Sequence, residues 1–159
     1  MKPAMSQPNP LHLSAQTIED ISDHARQTFP EECCGVILSN GATDRAQRLS
    51  NIQNRLHALD PLTYPRTAVI AYAMDPKELE KAMGEAAGAK LKAFYHSHPN
   101  HDAYFSDEDK AFACPFGEPN FPGAAQIVVS IYGGAVRRIC AYAWSDGAND
   151  FVEVAVNKV

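Results

Sequence analysis

Short apolar runs separated by turn signals constrain the fold of this chain more than any other feature. Their lengths and their content of β-branched residues are typical of strands. We expect strands at 33–38, 44–49, 69–74, 91–95, 126–132, 136–144 and 151–156. Two longer segments instead repeat apolar residues at helical spacing. The first is 14–29, which Ser14 can cap and Pro30 ends, and the second opens at Asp75-Pro76.

A third, shorter helix is predicted at 106–114, with Ser106 as its N-cap. The segments 56–67 and 115–123 have no clear period, and we expect both to be loops. The residues that the second helix is expected to bury are Leu79, Ala82, Met83 and Ala86. This order of elements predicts an α+β fold of α/β-like character, in which a mixed, largely antiparallel sheet is flanked by helices.

The composition is that of an ordinary globular domain. The chain has 159 residues, of which 45% are hydrophobic and 21% are charged, so it can bury a core without the help of a metal or a disulfide. We expect a disordered leader at 1–10 and a single domain at 11–159. Fourteen basic and nineteen acidic residues give a net charge of −5, which argues against nucleic acid or an anionic membrane as a partner.

The sequence also indicates a reduced, cytoplasmic protein. No apolar stretch approaches the roughly 18 residues of a membrane span, and the first residues lack the apolar centre of a secretory signal. The four cysteines are Cys33, Cys34, Cys114 and Cys140, and their scatter does not suggest a disulfide framework. We interpret all four as structural.

The residues most suited to chemistry lie between 95 and 109. His96 and His98 are two residues apart at the end of a predicted strand, so both imidazoles face one side and can bind one cation. Asp109, one turn into the following helix, is a candidate third ligand, and His101 and Asp102 compete with it. Two histidines, one carboxylate and an open fourth position are the ligand set of a catalytic zinc site.

Each of these residues also has a purely structural interpretation. Ser106 and Asp109 have the spacing of a capping box, in which an acid at the third helical position also suits the helix dipole. Cys114 raises the possibility of a zinc deaminase, but the chain lacks both the His-x-Glu and the Pro-Cys-x-x-Cys elements of that site.

Taken together, the spacing resembles a known signature. His96-Ser97-His98-Pro99, followed by Ser106 and Asp109, resembles the HxH-x7-S-x2-D motif of the JAMM (MPN+) zinc metalloproteases. The segment 30–35 is similar to the Pro-x-Glu-x-Cys-Gly segment of the bacterial and archaeal branch. The resemblance extends from about Leu11 to Trp144 and implies a cytidine-deaminase-like JAB/MPN fold. Phe105 departs from the pattern, since a small residue or proline often precedes the serine, and we expect it to shape the substrate entrance.

The resemblance implies a role for each matching residue. His96, His98 and Asp109 would bind one Zn²⁺ per chain, with water in the fourth position. The family glutamate lies three residues before the glycine, which selects Glu32 over Glu31 as the general base. Ser106 would stabilise the oxyanion.

Proteins similar to this one cut the bond that follows the C-terminal glycine of a ubiquitin-fold protein. The resemblance therefore implies a zinc-dependent peptidase or isopeptidase, with an E1-like enzyme as a possible member of the same pathway. Processing of a sulfur-carrier tail and deconjugation of a modifier both remain open. The alternatives are a non-catalytic MPN scaffold and a metal hydrolase that acts on a small molecule. Whether the apolar residues of 56–67 and 115–123 contact the tail or cover the core also stays open. Those residues are Leu59, Leu62, Tyr64, Phe116 and Phe121.

Overall fold

A computed structural model describes residues 7–85 and 88–159. Within them the strands are β1 (Leu11–Leu13), β2 (Cys34–Ser39), β3 (Asp44–Leu49), β4 (Lys90–Pro99), β5 (Ala125–Tyr132), β6 (Ala135–Ser145), β7 (Asp150–Val154) and β8 (Val156–Lys158). The helices are α1 (Ala15–Thr28), α2 (Gln53–Leu59), α3 (Pro76–Glu85) and α4 (Asp107–Ala113).

The main sheet has six strands in the order β3-β2-β4-β5-β6-β7. Among these strands only β4 and β5 are parallel, and every other neighbouring pair is antiparallel. The terminal strands β1 and β8 form a separate parallel pair. The predicted α+β class, with a mixed and largely antiparallel sheet flanked by helices, is therefore confirmed.

The two faces of β4 carry different partners because side chains alternate along a strand. Tyr95 faces α1, within an apolar cluster that includes Ile21, Ala25 and Ile127. Phe94 faces the opposite side, where a second cluster packs under α3 and the segment before it. His96 and His98 share the face of Phe94, so the histidine pair opens toward that second side of the sheet.

The N-caps of α1 and α4 are those that the sequence predicts. The Ser14 hydroxyl accepts a hydrogen bond from the Thr17 N–H, and Ser106 does the same for Asp109. In α3 the Asp75 carboxylate accepts from the Lys77 N–H. These side chains satisfy backbone donors that the first turn of a helix leaves free.

Two predictions of secondary structure are wrong. The strand expected at 69–74 is a turn followed by chain without regular structure, and within it only Met74 forms a single bridge, with Asn51. Its apolar appearance misleads because Val69 and Ile70 are 44% and 50% exposed. The expected loop at 56–67 begins inside a helix, α2, whose N-cap Ile52 provides no side-chain hydrogen bond.

The expected buried face of α3 is only partly correct. Ala82 is buried and Leu79 is partly buried, but Met83 is 39% exposed. Ala86 lies outside the described residues, as does the part of the expected leader at 1–6, while 7–10 has no helix or strand.

Among the apolar residues whose roles were open, the structure distinguishes one that covers the core from others that are exposed. Phe121 packs edge-on against Phe94 and covers the core, whereas Leu62 and Phe116 are each 94% exposed. Phe105 does not shape an entrance: it is buried and stacks on Tyr142, because it belongs to the apolar cluster beneath α4. In the described part of the chain, no helix is long and apolar enough to cross a membrane.

Candidate metal centre and cleft

Three side chains from β4 and α4 converge on one point. The Nε2 atoms of His96 and His98 are 3.1 Å apart, and Oδ2 of Asp109 lies 3.2 Å from the first and 3.3 Å from the second. All three residues are buried. This set is called the ligand triangle below. Its two histidines share one face of β4, and its aspartate comes from the first turn of α4.

The edges of the ligand triangle are within about 0.2 Å of the separations that zinc requires. Nitrogen and oxygen ligands of tetrahedral zinc lie at about 2.0–2.2 Å from the ion, which places them about 3.3–3.6 Å from one another. The observed edges are 3.1–3.3 Å. A cation could be bound here by one imidazole nitrogen of each histidine and one carboxylate oxygen, which face each other in a buried site. The donor set and its geometry therefore fit one zinc ion.

Neighbouring groups hold the two imidazoles in place. Nδ1 of His98 lies 2.8 Å from the carbonyl oxygen of Asp102, which makes Nδ1 the donor and leaves the lone pair of Nε2 for a metal. The ring of His96 stacks on Tyr72, with centroids 4.4 Å apart and planes inclined by 23°. Burial lowers the pKa of His96 and so favours the neutral form that binds metals.

Asp109 and Ser106 form both the predicted capping box and part of the candidate site. The Ser106 N–H donates to Oδ2 of Asp109 at 3.0 Å, and the Asp109 N–H donates to the Ser106 hydroxyl oxygen at 3.1 Å. Burial opposes ionisation of Asp109, but the histidines and the Ser106 N–H outweigh it and hold the pKa of this carboxyl well below its usual range. Helix capping thus fixes the oxygen that faces the histidines.

The carboxylate of Glu32 lies beside the triangle, just before β2. One of its oxygens and one ring nitrogen of each histidine all lie within 4.8 Å of one another. Burial and the nearby charge of Asp109 raise the pKa of Glu32 to about 9, although Arg66 acts in the opposite direction. A cation in the ligand triangle would also lower it, because it favours the charged carboxylate. Glu32 can therefore complete a metal's coordination or exchange protons with a water bound there.

An open cleft of about 320 Å³ leads to these groups. The polar residues that line the cleft include Ser106, Glu32, His98 and Asp109. Its apolar lining includes Ile70, Tyr104 and Phe112. At its mouth Arg66, from the segment after α2, contacts Glu108 of α4 at 2.7 Å. The cleft is thus bounded by the segment 66–72 on one side and by α4 on the other.

The competing candidates lie outside the ligand triangle. His101 is an exposed residue of the cleft wall. The carboxylate of Asp102 accepts from the Tyr132 hydroxyl, and its carbonyl oxygen orients His98. Glu31 points to the surface, where Asn54 donates to its carboxylate at 2.7 Å.

The cysteines are poorly suited to nucleophilic chemistry. All four lie in the described residues and are free thiols. Burial raises the pKa of Cys33 to about 12 and raises the pKa of Cys34 as well, so neither becomes a thiolate at neutral pH.

Sequence reasoning missed the groups that support the site. Tyr72 and Arg66 come from a segment without regular structure, and no local pattern marks them. Tyr95 fills the space above Gly35, where a Cβ atom would lie 2.4 Å from its ring, and its hydroxyl meets Nδ1 of His24 at 2.7 Å. The Tyr95 ring therefore leaves room only for glycine at position 35. The alternation of side chains along β4, which places Tyr95 on the face opposite the histidines, was the one sequence signal for this contact.

Comparisons with known proteins agree with this architecture. A desampylase of Haloferax volcanii is 29% identical over 155 residues, covering 92% of this chain and 94% of the desampylase. A Desulfitobacterium hafniense protein solved in solution has a similar fold, with a TM-score of 0.69, 21% identity and coverage of 94% of this chain and 92% of that one. A JAB1/MPN domain protein from Archaeoglobus fulgidus matches with a TM-score of 0.52, 17% identity and coverage of 93% and 99%.

A family model described as prokaryotic homologues of the JAB domain matches residues 14–142. That range includes every residue of the ligand triangle, together with Glu32 and Ser106. The chain belongs to the prokaryotic JAB-domain family.

Proposed function

We propose that this protein is a zinc-dependent isopeptidase or peptidase that cuts after the C-terminal glycine of a ubiquitin-like protein. The observation that carries the proposal is the ligand triangle, with a buried carboxylate beside it and an open cleft above it. His96, His98 and Asp109 would bind one zinc ion per chain. When bound, zinc lowers the pKa of water and polarises a carbonyl group.

Glu32 acts as the general base and then as the general acid. Its carboxylate takes a proton from the attacking water, whose oxygen bonds to the scissile carbonyl carbon. It then delivers the proton to the departing amine as the carbon–nitrogen bond breaks. Proton transfer of this kind typically contributes about 10²–10⁴ in rate.

Ser106 stabilises the carbonyl oxygen as it gains negative charge. Its oxygen already accepts the Asp109 N–H, and within the described residues its hydroxyl hydrogen has no acceptor. Ser106 also lines the cleft. The hydroxyl can therefore serve as helix cap and oxyanion donor at once, because the two roles use different atoms.

The substrate class is supported by the relative and by the shape of the cleft. The name desampylase denotes removal of a ubiquitin-like modifier. The cleft is open at its mouth and bounded by the irregular segment 66–72, which suits an extended tail better than a folded surface. Sulfur-carrier tail processing is an alternative use of the same chemistry. A cytoplasmic location and an E1-like enzyme in the same pathway are further predictions.

Cleavage of a fusion tests this proposal. In that fusion a Gly-Gly-tailed ubiquitin-fold protein is joined through an isopeptide or peptide bond to a reporter. Zinc-loaded wild-type protein should cleave it. Glu32→Gln should retain the fold and zinc but turn over at least about 10²-fold more slowly, because an amide cannot accept the water proton. Glu31→Gln is the matched control and should stay within about twofold, since its carboxylate bonds Asn54 at the surface.

The other outcomes identify the alternatives. Full activity of Glu32→Gln would overturn the mechanism. An inactive Glu31→Gln variant would mean that Glu31, and not Glu32, is the general base. Zinc binding with hydrolysis of small amides alone would favour a small-molecule hydrolase. A protein that neither binds zinc nor cleaves would be a scaffold.

A further inference from the structure

Asn51 has an unusually complete set of hydrogen bonds for a side chain outside the ligand triangle. Its Nδ2 donates to the carbonyl oxygen of Glu32 at 2.9 Å and to that of Ala71 at 3.1 Å. Its Oδ1 accepts the N–H groups of Gln53 and Ala73, each at 3.0 Å. All four partners are main-chain groups, so the side chain fixes backbone rather than other side chains.

These four bonds join three separate segments at the edge of the cleft. The first segment contains Glu32, the second begins α2 at Gln53, and the third is 71–73, which contains Tyr72. The main chain reinforces the connection between the second and third segments, since the Ile52 N–H donates a hydrogen bond to the Ala73 carbonyl oxygen at 2.8 Å. Tyr72 in turn stacks on His96. Asn51 therefore connects the proposed base with a wall of the cleft that touches the ligand triangle.

The main chain of Glu32 depends on this connection because no regular structure holds it. Glu32 precedes β2, and its own N–H donates to the Ala68 carbonyl at 2.8 Å. Its carbonyl oxygen is held by Asn51. The next residue, Cys33, is tied to β4 through Ser97, whose hydroxyl accepts the Cys33 N–H at 2.8 Å. Removal of the Asn51 bond therefore breaks a hydrogen-bonded link between Glu32 and the segment 71–73.

We propose that Asn51 is a positioning residue for the general base. It holds the Glu32 main chain, and so its carboxylate, at the distance from the ligand triangle that proton transfer requires. This inference rests on the proposed function. Displacement of a reacting group by about 1 Å can cost on the order of 10² in rate. The effect of losing Asn51 should therefore fall on kcat rather than on substrate binding.

Asn51→Asp tests this role with little change in shape. The variant keeps the oxygen that accepts from Gln53 and Ala73 but removes both donated bonds. Gln53→Glu is the matched control. It makes the same amide-to-carboxylate change two residues away and removes a buried donated bond, from Nε2 to the Arg66 carbonyl at 2.9 Å, without touching Glu32.

Two measurements are made on the folded, zinc-loaded variants, well below their melting temperatures. We expect kcat of Asn51→Asp to fall about tenfold to a hundredfold with KM within about threefold. The amide of Glu32 should exchange with solvent at least about fivefold faster, because its segment has lost a hydrogen bond, while amides of β5 and β6 keep their protection. Gln53→Glu should lower kcat by less than Asn51→Asp does, because its lost bond holds Arg66 rather than Glu32, and it should leave the Glu32 amide unchanged.

An unchanged kcat in Asn51→Asp, or equal losses in the two variants, would overturn the positioning role. A fall confined to melting temperature would do the same, because a structural role alone predicts it. If wild-type protein cleaved no substrate, the proposed function would fail, and amide exchange would still decide the inference. Faster amide exchange confined to Glu32 in Asn51→Asp would then support the positioning of this segment. Equally faster exchange throughout the protein, or unchanged exchange at Glu32, would refute it.

Discussion

Gly35→Ala should strongly destabilise the protein although Gly35 is not a residue of the ligand triangle. A Cβ atom there would lie 2.4 Å from Cζ and Oη of Tyr95 and 2.5 Å from Cε1, about 1 Å closer than van der Waals contact allows. The Tyr95 ring is fully buried among side chains of α1, β2 and β5, so it cannot move aside freely. Its hydroxyl would also lose its 2.7 Å contact with Nδ1 of His24.

Both consequences have known magnitudes. Overpacking of this kind costs about 1–3 kcal/mol, and the lost buried hydrogen bond adds about 0.5–1.5 kcal/mol. The free energy of unfolding should thus fall by about 2–4 kcal/mol, and the melting temperature by roughly 5–15 °C. Urea and thermal unfolding followed by circular dichroism would measure both.

Gly84→Ala is the matched control for this prediction. Gly84 lies in α3 with nothing within 4 Å of the added Cβ, so alanine should be neutral or stabilise by up to about 1 kcal/mol. Equal free energies of unfolding for Gly35→Ala and Gly84→Ala would show that the Tyr95 ring does not require glycine at position 35.

Two further predictions concern catalysis and pH. Ser106→Ala should lower kcat by about 10²–10³ and stability by about 1 kcal/mol, and kinetics with melting on the same sample would show whether the cap is its only role. Burial, assisted by Arg48, lowers the pKa of His24 to about 4. Since the unfolded chain binds a proton there below about pH 6.5 and the folded chain does not, stability should be lost as pH falls from about 6.5 to 4, by up to about 3 kcal/mol. Unfolding curves of His24→Gln should lack this slope, and the same slope in that variant would exclude His24 as its source.

Elements with a local chemical signal were predictable. The caps at Ser14 and Ser106 form the hydrogen bonds that their spacing indicated. The apolar runs at 33–38 and 126–132 fall on β2 and β5, because a buried strand needs such a run whatever surrounds it.

Elements defined by distant contacts were not predictable. Helix α2 buries only Gln53 among its residues, and its N-cap Ile52 has no side chain that could accept a hydrogen bond, so neither periodicity nor a capping residue marks it. The sequence of 69–74 is typical of a strand, yet the main chain of residues 71 and 73 is hydrogen-bonded to the Asn51 side chain and has no regular structure. The pairing of β1 with β8 joins the two ends of the chain, which no local pattern records.

The same distinction between local sequence signals and distant contacts applies to the candidate site. Spacing placed His96 and His98 on one face, but it left Asp109 as one candidate beside His101 and Asp102, and only the family resemblance selected it. The surrounding groups, Tyr72 and Arg66, reach the cleft through the irregular segment 66–72. Their positions depend on tertiary hydrogen bonds, and a sequence read in isolation carries no signal for these.

The most direct test of the ligand triangle is the zinc content and zinc coordination of the purified protein. Elemental analysis should find one zinc ion per chain, and X-ray absorption should show two imidazole nitrogens with oxygen ligands at about 2.0–2.2 Å. His98→Ala should lose the ion and keep its fold. His101→Ala should keep both, since His101 lies on the cleft wall outside the triangle. Absence of zinc binding in the wild-type protein, or unaltered binding in His98→Ala, would contradict the account.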